Sequence, residues 1–192
     1  KIINTEILNI NHICIEFAGR SDRTMYLNDG TSFDAYVEYV DSNAQRGAIG
    51  IEVKYTEHGY PIGEKEEKDI EKPDGLYQQM TSKSGYFIPG LDIRMFLKAH
   101  HLRQIWRNHL LGYSMIDKGD IQRFHHIHLY PHDNVHFHQY ALPEYKSLLT
   151  PKGKDSFIDL TYESLFDMMS QYFTSAKQKE WIKYLYQRYI IM

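Results

Sequence analysis

Ala48-Ile49-Gly50-Ile51-Glu52-Val53-Lys54-Tyr55-Thr56 is the stretch that decides the fold. Its apolar members at 49, 51, 53 and 55 alternate with the rest, which is the period of a β-strand. That alternation puts Glu52 and Lys54 on one face and Val53 on the other. The run reads as the central strand of a sheet, where a Glu and a Lys sharing a face need a reason to be there.

Upstream, residues 33–40 (Phe33-Asp34-Ala35-Tyr36-Val37-Glu38-Tyr39-Val40) form a second long strand candidate. Pairing the two as a hairpin across residues 41–47, with Val40 opposite Ala48, sets Asp34 opposite Lys54 and Tyr36 opposite Glu52. Asp34 and Glu52 then become diagonal neighbours roughly 6–8 Å apart at Cβ, a gap that one cation can bridge. Any register with an even residue sum keeps that shared face, and an odd sum splits it. Glu38 lies four residues along, roughly 13 Å from Asp34, too far to share a metal with it. It reads as solvated or paired.

Further out, the sequence predicts a strand-rich front and a helix-rich back. Residues 1–8 read as the end of a helix and 12–17 as a strand. Thr24-Met25-Tyr26-Leu27 leads through the turn Asn28-Asp29-Gly30-Thr31 into the Asp34 strand. Residues 57–75 are a charged, exposed excursion with a short helix. A helix starts near Asp92 and runs to about Lys118, with Leu102, Ile105, Trp106, His109, Leu110 and Tyr113 at helical spacing. Residues 124–130 and 135–140 read as a strand pair joined by Pro131-His132-Asp133-Asn134, and 157–160 as a short strand. Helices at 163–172 and 176–191 close the chain. The pattern implies a three-layer α/β fold, a central mixed sheet flanked by helices.

At 192 residues the chain is sized for one domain, 1–192. The start at Lys1 rather than Met allows for a preceding N-terminal segment. A hydrophobic fraction of 42% with 24% charged residues excludes a disordered or fibrous chain. No stretch approaches the roughly 20 apolar residues of a membrane span, and the opening residues lack a secretory core. Cys14, the single cysteine, leaves no thiolate zinc site and fits a reducing compartment, so the expectation is cytoplasmic. Net charge is −3, so no global basic footprint marks a nucleic-acid binder. An enzyme that turns over needs only a local basic surface, and metal ions supply part of the positive charge.

Phosphodiester hydrolysis asks for a hard cation on oxygen ligands, an activated water and positive charge near the reacting phosphate. Asp34, Glu52 and the Val53 carbonyl suit Mg²⁺, for which Mn²⁺ can substitute. Lys54 is an ammonium placed to orient water and offset charge. Asp34 followed by Glu52-Val53-Lys54 at the end of an apolar strand resembles the active-site motif of the PD-(D/E)XK nuclease superfamily. The fuller string from Gly47 to Glu57, the helix containing Arg103-Gln104-Ile105-Trp106-Arg107-Asn108 and the strand ending Leu129-Tyr130-Pro131 resemble its bacterial restriction-endonuclease-like proteins. Phe33 stands where the motif's name has Pro. The resemblance implies a restriction-endonuclease-like fold and a Mg²⁺-dependent endonuclease acting on DNA, with Asp34 and Glu52 on the metal and Lys54 assisting. A Gln facing the metal strand recurs in such proteins, which points to Gln104. An acidic residue from the first element is also expected, with Glu6 ranked ahead of Glu16.

Arg103 and Arg107, i and i+4 on one helix face, are candidates for substrate phosphate, with Gln104 and Asn108 as the adjacent pair. Each reading has a plainer counterpart. Asp34, Glu52 and Lys54 can be cross-strand ion pairs on an exposed sheet. The histidines at 125, 126, 128, 132, 136 and 138 read as surface or phosphate-contacting side chains before they read as a zinc site. The competing function is a non-catalytic nucleic-acid-binding or assembly module retaining the fold. A homodimer is kept open, since two symmetric sites suit the two strands of a duplex.

Overall fold

The computed structural model describes residues 2–56 and 63–190. Five strands form one mixed sheet in the order β1-β2-β3-β4-β5: β1 Ile7–Phe17, β2 Phe33–Asp41, β3 Arg46–Val53, β4 Arg123–Tyr130 and β5 Phe157–Thr161. The first three pair antiparallel, whereas β3, β4 and β5 run parallel. The parallel connection from β3 to β4 carries four helices: α1 Glu64–Glu71, α2 Leu76–Ser84, α3 Arg94–Lys98 and α4 His100–Asp117. Two short helices, α5 Leu142–Ser147 and α6 Pro151–Ser156, precede β5, and α7 Tyr162–Tyr172 and α8 Ala176–Tyr189 follow it.

Helices lie on both faces. One carries α4, whose buried face includes Leu102, Ile105, Trp106 and Leu110, packed into the main aromatic core with Phe33, Tyr36 and Phe124. A Cβ on Gly112 would sit 2.0 Å from the Phe124 ring, so α4 approaches β4 this closely only with glycine there. On the other face α7 and α8 cover β4 and β5, where Ile127, Leu129, Leu160 and Phe166 form a second cluster. Thr161 caps α7 through Ser164 N–H, and Ser175 with Gln178 closes a capping box on α8.

Several expectations change. Among the described residues no helix precedes β1, which begins at Ile7 and runs five residues longer than residues 12–17. Thr24 to Leu27 is not a strand: Asp22 accepts from Thr24 N–H and starts a 3₁₀ turn at Arg23–Met25, and Tyr26 OH donates to Asp120 at 2.6 Å. The β2–β3 register is tighter than expected, with Val40 opposite Arg46 and Ala35 opposite Ile51. Asp41 Oδ1 accepts from both Asn43 and Gln45 N–H, and Ala44 adopts φ 60°, which shortens the connection. The long helix breaks at Ala99. Residues 135–140 do not pair with β4: Asn134 Oδ1 accepts from Phe137 N–H, and a π-helical turn at His136–Ala141 runs into α5. The opening of the charged excursion, Glu57 included, and Ile191 lie outside the described residues. The helix within the excursion is α1.

Candidate active site

The tighter register keeps an even residue sum, so Asp34 and Glu52 remain on one face, now directly opposite rather than diagonal. Asp34 is the second residue of β2, and its Oδ2 accepts from Val53 N–H at 2.7 Å, tying the carboxylate to the end of β3. Lys54 follows β3 directly, and its own N–H donates to Leu129 O at 2.8 Å. That bond extends the parallel ladder by one residue and turns the ammonium back beside Glu52.

Glu52 is 1% exposed. Its Oε1 faces Lys54 Nζ at 2.7 Å and accepts from Gln104 Nε2, while Oε2 accepts from Asn108 Nδ2 at 2.6 Å. Gln104 and Asn108 stand one helical turn apart on α4, so both amides reach the same carboxyl. Burial pushes the Glu52 carboxyl up to about 7; Lys54 opposes that rise, and the neighbouring Asp34 charge adds to it. The group therefore sits near the boundary between neutral acid and carboxylate at neutral pH.

A cleft of about 190 Å³ opens above the pair, lined by Asp34, Glu52, Gln104, Arg107 and Asn108 together with Glu16, Thr31 and Ser32. A larger cavity of about 570 Å³ lies against α1 and α2; it is lined by Asp29, Asp69 and Asp74 but holds neither Asp34 nor Glu52, so its size does not make it the site. Of the two first-element acids, Glu16 on β1 reaches the cleft. Glu6 lies at the opposite end of β1, where its carbonyl accepts from Ser42 N–H. Glu16 takes φ 53°, a left-handed conformation that marks a bend in the strand at this spot.

The two arginines are not a shared polar face. Arg103 is 2% exposed and donates to the carbonyls of Phe96 and Leu97, closing the end of α3 across the Ala99 break. Arg107 does line the cleft, but its guanidinium is spoken for: it donates to Thr31 Oγ1 and Tyr77 OH, each at 3.0 Å, and to Asp29 Oδ2 at 2.9 Å. Burial would raise the Asp29 carboxyl, and Arg107, Tyr77 and Thr31 outweigh it, holding the group below its ordinary value. Asn108 was legible only as the i+4 companion of Gln104, and its place on Glu52 needed the α4–β3 packing.

The histidine run divides: His132 and His138 are exposed as expected, whereas the three on β4 are not at the surface. His126 and His128 are fully buried on β4 and His125 is 8% exposed. His126 stacks on Phe157 and His128 packs 4.7 Å from Phe137, ring to ring. Among the described residues no group of three or more His, Cys, Asp or Glu side chains is arranged to hold a metal. The anionic groups lining the cleft are the carboxyls of Asp34, Glu52 and Glu16, oxygen donors whose chemistry fits a hard dication better than zinc or copper.

A family model of the PD-(D/E)XK nuclease superfamily matches residues 1–191. No curated protein and no solved structure matches the chain.

Proposed function

The chain belongs to the PD-(D/E)XK nuclease superfamily, and on that premise we propose that it is a metal-dependent endonuclease, restriction-endonuclease-like, that hydrolyses DNA phosphodiester bonds. The supporting observation is the meeting of Asp34, Glu52 and Gln104 at one cleft, with Lys54 paired to Glu52 beside it and Glu52 buried yet met by three donor side chains. Asp34, Glu52 and the Val53 carbonyl would hold Mg²⁺ or Mn²⁺. A bound dication supplies an acidified water and neutralises charge on the scissile phosphate. Lys54 moves from Glu52 toward the substrate oxygens and stabilises charge developing there. Gln104 and Asn108 hold the Glu52 carboxylate in place. Arg107 adds positive potential to the cleft wall, while Arg103 acts on the scaffold through α3. A cytoplasmic enzyme acting as a homodimer on both strands of a duplex completes the reading.

The test is cleavage of plasmid and linear DNA with and without Mg²⁺ or Mn²⁺, beside calorimetric metal titration. Metal-dependent nicking by wild type that is lost in Lys54→Ala, with unchanged circular dichroism, supports the reading. Undiminished cleavage by that variant removes it. One observation favours the non-catalytic module: both Glu52 oxygens already have partners, and no third ligating side chain joins the pair among the described residues. A wild type that binds DNA but takes up no Mg²⁺ would establish the module instead.

A further inference from the structure

β1 is an edge strand, and among the described residues no strand pairs with its outer side. Edge strands in soluble proteins are usually guarded by lysines, prolines, short length or cover. This one spans 11 residues, Ile-Leu-Asn-Ile-Asn-His-Ile-Cys-Ile-Glu-Phe, with no Lys, Arg or Pro and a single carboxylate, Glu16. It leaves Leu8, Ile10, Ile13 and Ile15 between 53% and 71% exposed. Ile10, Ile13 and Ile15 stand opposite Tyr39, Val37 and Ala35, so they share the sheet face on which the α7–α8 cluster reaches β3 through Ile49 and Ile51 but takes in no residue of β1 or β2. The register shifts in β1 fall before His12, the ladder is continuous from His12 to Ile15, and the strand bends at Glu16 before Phe17 pairs again.

We propose that this edge is the interface with a second copy of the chain, formed by antiparallel pairing of β1 with β1 about a two-fold axis at Cys14. The sequence is self-complementary in that register. Ile13 falls opposite Ile15 of the second copy, and Ile15 opposite its Ile13, on the apolar face. On the other face Cys14 meets Cys14, and His12 of each copy approaches the lone carboxylate at the Glu16 bend of the other, twice by symmetry. No like charges oppose one another. The free backbone groups around Cys14 gain a ladder, and the two sheets merge into ten strands. Both acidic clefts then open on the same side, with Glu16 at the seam of each. The pairing follows from the strand edge alone, and it stands whether or not the cleft is catalytic.

The experiment is sedimentation equilibrium of the wild-type chain beside Ile15→Lys, a change at an exposed position that leaves the core intact, joined to oxidation of Cys14. Wild type at twice the monomer mass and Ile15→Lys at the monomer mass are expected. Mild oxidation should join the wild-type dimer through Cys14, because directly opposed Cα atoms about 4.5–5.5 Å apart fall within disulfide reach. Cys14→Ser should remain a dimer without the covalent link, and hydrogen exchange at residues 11–17 should be slower in wild type than in Ile15→Lys. A monomeric wild type, or a dimer that survives Ile15→Lys, overturns the interface. A dimer that Ile15→Lys dissociates but oxidation does not link overturns the register. Loss of cleavage without loss of dimer would count against the nuclease reading and leave this one untouched.

Discussion

Glu52 and His128 stand opposite each other on β3 and β4, on the same side of the sheet, 1% and 0% exposed. Their surroundings differ in kind. The carboxyl keeps Lys54, Gln104 and Asn108 within bonding distance and borders the cleft, whereas neither ring nitrogen of His128 or His126 has a partner among the described residues. Burial drives both imidazoles well below their ordinary value, His126 to about 3, so they stay neutral and pack as flat rings. His109 on α4 is the intermediate case, also neutral, but bonded to Tyr145 and Ser156. A polar group that the fold surrounds with donors is being kept ready to carry charge. One left without partners is being used for its shape.

The two regions respond to pH with opposite sign. An unfolded histidine titrates near 6.5 and folded His126 near 3, so between those values the unfolded chain binds a proton that the folded chain refuses. Stability is therefore present above about pH 6.5 and falls as pH drops, by up to about 5 kcal/mol from His126 alone near pH 3. His126→Phe should flatten that acid limb in urea titrations. An unaltered limb would mean that the ring is hydrated or paired, and the contrast with Glu52 would fail.

Cleavage separates the regions next. Lys54→Ala is expected to lower the metal-dependent rate by about 10²–10³, the scale for loss of one charge-stabilising group. His126→Phe should change it by no more than a few-fold. Comparable losses in both would bring the buried histidines into the site. Glu52 gives the opposite stability slope: its folded carboxyl, pushed up to about 7 from 4.5, retains a proton that the unfolded chain has lost. In chelator, wild-type stability should fall by about 3 kcal/mol as pH rises from 4.5 through 7. Glu52→Gln should erase that slope, and a slope that persists assigns it to another group.

Sequence pattern carried the centre of the molecule and lost its periphery for physical reasons. The period of β3 fixed the shared face of Glu52 and Lys54, because that face depends only on parity. The hairpin register depends on turn hydrogen bonds from Asp41, which apolar alternation does not encode. Arg103 and Arg107 look like a solvated face by composition. Their burial follows from tertiary partners far along the chain, such as Asp29, and from the Ala99 break. Polarity places the histidine run at the surface, which holds for His132 and His138 but not for His125, His126 and His128, because β4 is an inner strand with neighbours on both sides and neutral imidazole is compatible with such a place. Residues 135–140 alternate like a strand but find no ladder partner, and the Asn134 cap decides for the helical turn.

The smallest expected effect tests whether the ring of donors, rather than burial as such, distinguishes Glu52. Asn108 donates to Oε2 and so favours the ionised carboxyl against the rise that burial imposes. Asn108→Ala removes one such bond, worth about 1 kcal/mol, which corresponds to a further rise of somewhat under one pH unit. The acid-side limb of Mg²⁺ binding should move up by that amount, because a proton and the metal compete for the same oxygens. Saturating metal at high pH should restore binding, since the oxygens themselves remain. A limb that stays in place while affinity falls at every pH would show that Asn108 shapes the cleft and not the carboxyl, and the distinction between an acid kept ready and a ring used for packing would then rest on Lys54 and Gln104 alone.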